Sequence, residues 1–559
     1  MSVTTRALAG AVSLALAAAI PFGAAAAPAQ AAEKPHPARG SHPLNAAVCK
    51  ALTGYHYEDT VITSAKSVRP GEETFRGKPV ARHCLVKGTM EERVSPVDGE
   101  TYAIGFEMRL PMHWDGRFVY QANGGLDGVV APALGKAGGS DSALQAGSAV
   151  ISSDAGHTSE QNPVFGLDPQ ARLNYGYRAV QTLTPMAKDL VEHAYGAAPH
   201  HSYIIGSSNG GRHAMVAASR SPELFDGVLA VAPGFNLPKA AVAQLWGAQQ
   251  WSPVAESEDL ASALTQDERE AVADGILARC DALDGLEDGM VQDSAGCQEE
   301  FSVADDVPTC AQGRTGSCVT TEQKQVLERV FSGATTSDGE AIYAPFVYDP
   351  GLVQEDWGSW KFSAPLTRDS AAVGYIFSSA PFAPALRTLS EWALSVDIDE
   401  AFRRIHATDG VYAESAMEFM TPPDLEYRDF IAAGGRMLVI HGASDGVFSM
   451  QDTADWYEGL DEAHHGQVDR AVRFFQVPGM GHTRGGPATD QHDAVRVLTD
   501  WVEDAEAPDR IEARVDPANA ELPSTWSTSR TRPLCAYPAT AEYTGGDPES
   551  AASFTCAGR

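Results

Sequence analysis

The segment Gly206-Ser207-Ser208-Asn209-Gly210-Gly211 follows an apolar run, Tyr203-Ile204-Ile205, and precedes a helix-like stretch from Arg212 to Ser221. A serine hydroxyl is a weak nucleophile at neutral pH. It becomes useful where a strand ends, the chain turns sharply and a helix begins. The turn exposes the hydroxyl, and the helix N-terminus offers free N–H groups to a developing oxyanion. Small residues at 206 and 210 permit such a turn. The five-residue pattern alone is common in Gly/Ser-rich chains. The strand before it and the helix after it are what set Ser208 apart from a plain strand-to-helix turn.

A nucleophilic serine needs a base beside it and an acid to orient that base. On an α/β-hydrolase sheet the chain order is Ser, then Asp or Glu, then His. His441-Gly442-Ala443-Ser444-Asp445 closes the run Met437 to Ile440, and Pro478-Gly479-Met480-Gly481-His482 closes the run Phe474 to Val477. Asp445 and His482 thus fall at successive strand ends, the edge where open α/β sheets gather their active sites. A loop histidine is more often merely exposed, and an Asp after a strand is often a turn former. Three candidates in the required order argue for a triad. Asp452 and Asp455 are rival acids, but they lie downstream in what reads as a helix. The oxyanion hole should combine the Asn209 N–H with a donor from Asn123-Gly124-Gly125-Leu126, where the Gly125 backbone can approach a substrate closely.

These residues need a sheet to carry them. Phe118-Val119-Tyr120, Ser148 to Ile151, Tyr203 to Ile205 and Val228 to Val231 alternate with helix-like segments such as Arg178 to Tyr195. That rhythm points to an α/β parallel sheet with helices on both faces. It breaks at Pro233-Gly234 and resumes near residue 437, with a last helix from His492 to Asp504. The chain therefore reads as core (32–234), insertion (235–425) and core again (426–559). In an esterase the insertion would be a lid over the active site; otherwise it is an independent second domain.

The chain has 559 residues, more than one core sustains, and a formal net charge of −33. Such charge argues against nucleic acid and anionic membrane surfaces as partners. Arg6, an apolar run from Ala7 to Ile20, Pro21, and small residues ending in Ala29-Gln30-Ala31 follow the pattern of a secretory signal peptide (1–31), with cleavage near Ala31 or Ala32. No later run of roughly 18 apolar residues offers a membrane span. Eight cysteines in an exported chain imply disulfides. They allow about a hundred connectivities, but spacing favours the local pairs Cys49–Cys84, Cys280–Cys297, Cys310–Cys318 and Cys535–Cys556. No C-x-x-C occurs, which argues against structural zinc. Within the insertion, Cys280-Asp281-Ala282-Leu283-Asp284-Gly285-Leu286-Glu287-Asp288-Gly289-Met290 spaces carboxylates on a tight loop. Asp281, Asp284 and Asp288 suit Ca²⁺ as hard oxygen ligands, and they equally suit a solvated acidic loop.

Gly206 to Arg212, Phe225-Asp226-Gly227-Val228, Ala232-Pro233-Gly234, the 280–290 loop, Val477 to His482 and Arg530-Thr531-Arg532-Pro533-Leu534-Cys535 resemble the tannase/feruloyl esterase family. The likeness spans about Cys49 to Cys556. Pro233 to Ala240, Asp445-Gly446-Val447-Phe448 and Asp452 to Tyr457 resemble its mono(2-hydroxyethyl) terephthalate hydrolases. The resemblance implies a secreted serine carboxylic-ester hydrolase with an α/β-hydrolase core and a lid. It places nucleophile, acid and base on Ser208, Asp445 and His482, and an acyl-pocket aromatic on Phe448. It also implies structural Ca²⁺ held by Asp281, Asp284 and Asp288 and the carbonyls of Leu286 and Met290. The expected substrate is a small-molecule or polysaccharide-linked ester of a hydroxycinnamic (feruloyl-type) acid, with gallate esters or terephthalate half-esters as alternatives. A catalytically idle binding protein of the same fold is the rival of another class. Two departures stand out. The family's cysteine pair flanking nucleophile and histidine is replaced by Ser207 and Thr483. The lid arginine of the terephthalate enzymes has no match in register; Arg368 is near.

Overall fold

The structure, a computed structural model, describes residues 42–558. The signal-peptide segment and most of the arm that follows it lie outside these residues. A nine-stranded sheet forms the centre. Its strands are β1 (Thr60–Val68), β2 (His83–Val94), β3 (Thr101–Pro111), β4 (Arg117–Ala122), β5 (Ala149–Ser153), β6 (His201–Ser207), β7 (Gly227–Val231), β8 (Arg436–Gly442) and β9 (Val472–Val477). They lie side by side in the order β1-β2-β3-β5-β4-β6-β7-β8-β9.

From β5 to β9 the pairing is parallel, as the alternation of apolar runs and helices implies. The first three strands depart from the expected parallel sheet. β1, β2 and β3 pair antiparallel with one another, and β3 pairs antiparallel with β5. Charge hides β3 in the sequence. Glu107 and Arg109 sit on it fully buried, and Arg109 Nε donates to Glu107 Oε1 at 2.7 Å.

Helices cover both faces. Those that matter for the site are α1 (Asn209–Arg220), directly after β6, and α2 (Met450–Ala463), after β8. No strand of the main sheet falls between Val231 and Arg436. That stretch is helical and has its own apolar core, including Trp251, Ile276, Phe331, Phe362 and Val373. Cys280–Cys297 and Cys310–Cys318 staple it, while Cys49–Cys84 and Cys535–Cys556 staple the two ends of the core. All four bridges join the local pairs that spacing favours, and they fit an oxidising compartment. Among the described residues no helix is long and apolar enough to cross a membrane.

Candidate active site

β6 ends at Ser207, and Ser208 turns into the left-handed region (φ 63°) before α1 begins at Asn209. A non-glycine residue there is strained, and such strain collects at functional sites. The flanking glycines are obligatory. A Cβ on Gly206 would fall 2.3 Å from the Gly210 carbonyl oxygen, and one on Gly210 would fall 2.4 Å from the Ala122 carbonyl oxygen. The second contact also shows how closely the end of β4 packs against the elbow.

His482, in the loop after β9, has Nε2 2.8 Å from Ser208 Oγ and Nδ1 2.7 Å from Asp445 Oδ2. Asp445 follows β8 and is fully enclosed. Its Oδ1 accepts the N–H groups of Val447 (2.9 Å) and Phe448 (3.0 Å). Burial alone would raise this carboxyl. His482, together with a hydrogen bond from His441, outweighs it and holds Asp445 below the usual carboxylate range. His441 Nε2 lies 3.3 Å from Asp445 Oδ2, and its Nδ1 lies 2.8 Å from Thr453 Oγ1. The rival acids are engaged elsewhere: Asp452 accepts from Asn236 at 3.0 Å and Asp455 from Gln451 at 2.6 Å.

The Asn209 N–H, at the start of α1, is one of the helix's unpaired donors. A Cβ on Gly124 would touch Ser207 O at 3.4 Å and Ser208 Cβ at 3.7 Å, so the 123–125 loop lies against the nucleophile. Gly125 O accepts from the Tyr175 hydroxyl at 3.3 Å. Sequence reasoning missed what joins the two halves. Asp127, two residues past Gly125 and with its side chain buried, accepts from Asn209 Nδ2 at 2.8 Å and lies 2.9 Å from His213 Nε2. Arg212 Nε donates to Asn209 Oδ1 at 2.6 Å and its other nitrogens to the carbonyls of Gly176 and Tyr175. Burial pushes Asp127 up and His213 down from their ordinary values. No local motif signals this network, because its members come from three separate segments.

Residues of the insertion stand against the histidine. Trp360 stands edge-on to the His482 ring at 4.9 Å, and Phe448, from the segment after β8, stands edge-on to it at 5.4 Å. Asp356 accepts the Trp360 indole N–H at 2.9 Å and the His482 backbone N–H at 3.3 Å. Arg368 lies 4.2 Å over the Trp360 ring and is paired with Asp369 at 2.7 Å. Both come from consecutive π-wound turns, Ser359–Ser363 and Pro365–Asp369, a winding that recurs near functional sites.

Ser207 and Thr483 meet a third segment. Ser207 Oγ accepts the Gly138 N–H at 2.6 Å, and a Cβ on Gly138 would lie 3.2 Å from Thr483 O. Thr483 itself has φ 69°, an uncommon conformation for a β-branched residue. Asp349, from the insertion, fastens the loops that carry Asp445 and His482: it accepts from Ser444 Oγ and, at 3.1 Å, from the Gly479 N–H.

In the 280–290 loop, Asp281 accepts the N–H of Asp288 at 3.1 Å and of Gly289 at 2.9 Å. Asp284 Oδ1 accepts the Leu286 N–H at 3.0 Å, and Asp288 pairs with Arg532. Asp284 Oδ2 and Asp288 Oδ1 are buried with no protein partner. Burial, with Asp288 and Asp281 nearby, pushes Asp284 up to about 7. Orphaned buried carboxylate oxygens are the donors a hard cation takes, so these residues fit Ca²⁺ chemically. They do not form a closed cage. Among the described residues, the three potential ligands with atoms within 4.8 Å of one another are His200, His201 and Glu503. There Arg117 already grips Glu503, at 2.6 and 2.7 Å.

This sheet order, with a strained serine at the β6–α1 turn and a helical insertion before β8, defines an α/β-hydrolase carrying a hydrogen-bonded Ser–His–Asp array. The tannase and feruloyl esterase family matches residues 84–557, and the chain belongs to it. It is therefore a carboxylic ester hydrolase. It is 34% identical over 547 residues to a mono(2-hydroxyethyl) terephthalate hydrolase of Piscinibacter sakaiensis, covering 89% of this chain and 88% of that one. Feruloyl esterase B from Aspergillus oryzae superposes with a TM-score of 0.75 at 22% identity, covering 92% of this chain and all of that one. Tannin acyl hydrolase from Aspergillus niger superposes with a TM-score of 0.66 at 18% identity, covering 92% and 95%.

Proposed function

We propose that the protein hydrolyses esters of hydroxycinnamic-type aromatic acids, feruloyl esters foremost, free or polysaccharide-linked, and that it does so outside the cell. The observation that carries this is the array Ser208–His482–Asp445 flanked by two aromatic faces, Phe448 and Trp360. Ser208 Oγ attacks the ester carbonyl as His482 Nε2 takes its proton. The tetrahedral oxyanion is met by the N–H groups of Asn209 and Gly125. His482 returns the proton to the leaving alcohol, and water then cleaves the acyl-enzyme by the same path in reverse. Asp445 holds the imidazole with Nδ1–H toward itself. The Phe448 face suits a planar acyl group. In the lid, Asp281, Asp284 and Asp288 with the carbonyls of Leu286 and Met290 would hold Ca²⁺, a structural charge that steadies the loop. Secretion rests on the N-terminal pattern, the four disulfides and the acidic surface.

A second reading, a terephthalate half-ester, is favoured by Arg368. Its guanidinium stacks on Trp360, two rings from His482, where an acyl carboxylate would find a cation. Rates of acid release from matched methyl ferulate, methyl gallate and mono(2-hydroxyethyl) terephthalate test the ranking. Feruloyl esters should give the highest kcat/KM, and a terephthalate preference above tenfold would select the second reading. Labelling of Ser208 by a fluorophosphonate is expected; a folded protein that neither labels nor hydrolyses any of the three would be a binding protein instead.

A further inference from the structure

A cavity of about 710 Å³ opens beside the active site, lined by His482, Thr483, Trp360 and Asp356 together with Arg76, Lys136 and Arg484. Three cations around one cavity call for a reason in a chain of net charge −33. Their placement is built into the backbone. Gly138 hydrogen-bonds Ser207, and a Cβ on Gly139 would fall 1.8 Å from the Asp490 carbonyl oxygen, so the 136–139 segment is wedged between the elbow and the loop after His482. Lys136 and Arg76 flank the Phe75 ring at 5.6 and 5.4 Å.

Four carboxylates share the cavity wall with the three cations and keep their charge, but each turns to N–H donors and none pairs with Lys136 or Arg484. Asp490 accepts from Gly485 N–H at 2.8 Å, Glu521 from Gly486 N–H at 2.8 Å, and Asp516 from Ala518 N–H at 2.9 Å, while Asp356 holds Trp360 and His482. Arg76 lies 3.5 Å from Asp141. Lys136 and Arg484 have no carboxylate partner among the described residues. Burial and the nearby guanidiniums of Arg484 and Arg76 push the Lys136 ammonium below its ordinary value, and no carboxylate offsets them there. An incoming anion would relieve that repulsion.

The side on which the cavity meets the triad assigns it to one half of the substrate. It reaches His482 and Thr483 but is not lined by Ser208, Asn209, Gly125 or Phe448. His482 Nε2 delivers the proton to the departing alcohol, so the alcohol leaves on the histidine side. We propose that this cavity receives the alcohol half of the ester, and that Lys136 and Arg484, with Arg76 behind them, select alcohols bearing an anionic group, a carboxylate or a phosphate. The assignment rests on the esterase reading above.

Three ferulate esters of one chain length, whose alcohols end in a methyl, a carboxylate or a phosphate group, test it. The ratio of kcat/KM for an anionic ester over the neutral one should be about tenfold at low ionic strength, the size expected of one or two exposed ion pairs. It should shrink in 0.5 M salt by screening. It should fall to near one in the double variant Lys136→Gln/Arg484→Gln. A ratio of one in the wild type, or a ratio the double variant keeps, overturns the proposal. Hydrolysis of none of the three would instead sink the esterase reading. The subsite is then judged by calorimetric titration of Ser208→Ala with the free carboxylate alcohol. Binding lost on adding the two Gln substitutions supports it, and no binding or unchanged binding refutes it.

Discussion

Asp127 makes no contact with the triad, yet its removal should cost turnover. Its carboxylate accepts from Asn209 Nδ2 and faces His213 Nε2, and its own chain segment begins with Gly125. It ties the Asn209 side chain to the segment that carries Gly125, beside a second link that runs through Arg212 and Tyr175. Asp127→Ala strands two buried donors, each costing about 1–3 kcal/mol when left unpaired, so stability should fall by about 2–6 kcal/mol. The catalytic cost is separate. Freed from Asp127, the Asn209 side chain keeps Arg212 and a long 3.3 Å contact with His213, and the first turn of α1 can shift. Loss of one oxyanion donor costs about 10²–10³ in kcat. A loosened donor should approach the lower figure, with KM little changed because the ground-state carbonyl gains little from the hole. Asp127→Asn keeps one acceptor oxygen for Asn209 and should recover most of the rate. Single-turnover acylation with a fluorogenic ferulate ester, run well below each variant's melting temperature, separates rate from unfolding. A trifluoromethyl ketone should lose affinity in parallel with kcat. A folded Asp127→Ala enzyme with kcat within threefold of wild type, or one that loses only KM, would refute the anchoring role.

Four further outcomes are expected. Ser208→Ala, Asp445→Asn and His482→Ala should each lower turnover by several orders of magnitude with the melting temperature nearly kept, because the three act as one unit; near-normal hydrolysis by Ser208→Ala would remove the assignment. Chelation should lower the melting temperature and Asp284→Ala should mimic it, since an ion bound only by the folded chain stabilises it by mass action; melting curves indifferent to EDTA, with no calcium by elemental analysis, would count against the loop as a cation site. Ser207→Cys/Thr483→Cys should form a bridge on export if the two Cα atoms sit within the roughly 4.4–6.8 Å a disulfide requires; non-reducing mass spectrometry showing two free thiols would mean that the Gly138 segment holds these positions apart. Burial pushes the Lys361 ammonium down to about 7, although Asp445 and Asp369 pull it up. A base depressed in the folded state is protonated more readily when unfolded. It therefore costs stability below about pH 7, and that cost fades as pH rises toward the ordinary lysine value near 10.4. Lys361→Met should raise the melting temperature at pH 6 and do so less at pH 9; equal gains at both would rule out titration as the cause.

The triad residues are legible in the sequence because each sits at a strand end, and strand ends announce themselves locally. A short, mostly apolar run followed by glycines marks β6, β8 and β9, and the order Ser, Asp, His does the rest. β1 to β3 escape the same reading for a physical reason. The buried positions of β3 include Glu107 and Arg109, whose charges are neutralised by each other and by the exposed Lys87 of the neighbouring strand, 3.1 Å from Glu107. A window that scores hydrophobicity sees charge where the fold has a satisfied interior.

The brace between the catalytic loops shows the same boundary from the other side. Its absence is readable at two positions, Ser207 and Thr483. What stands in its place is not, because the substitute comes from elsewhere in the chain. Gly138 lies between the two positions, its N–H on Ser207 Oγ at 2.6 Å, and Asp349 of the insertion ties the loop of Asp445 to that of His482 by reaching Ser444 and the Gly479 N–H. A disulfide would fix the loops of Ser208 and His482 within the core alone. The bonds of Asp349 tie the loop of His482 to the insertion as well. The geometry of His482 in this chain is therefore coupled to the packing of the insertion, and a substitution that loosens the lid near Asp349 reaches the catalytic base without touching it.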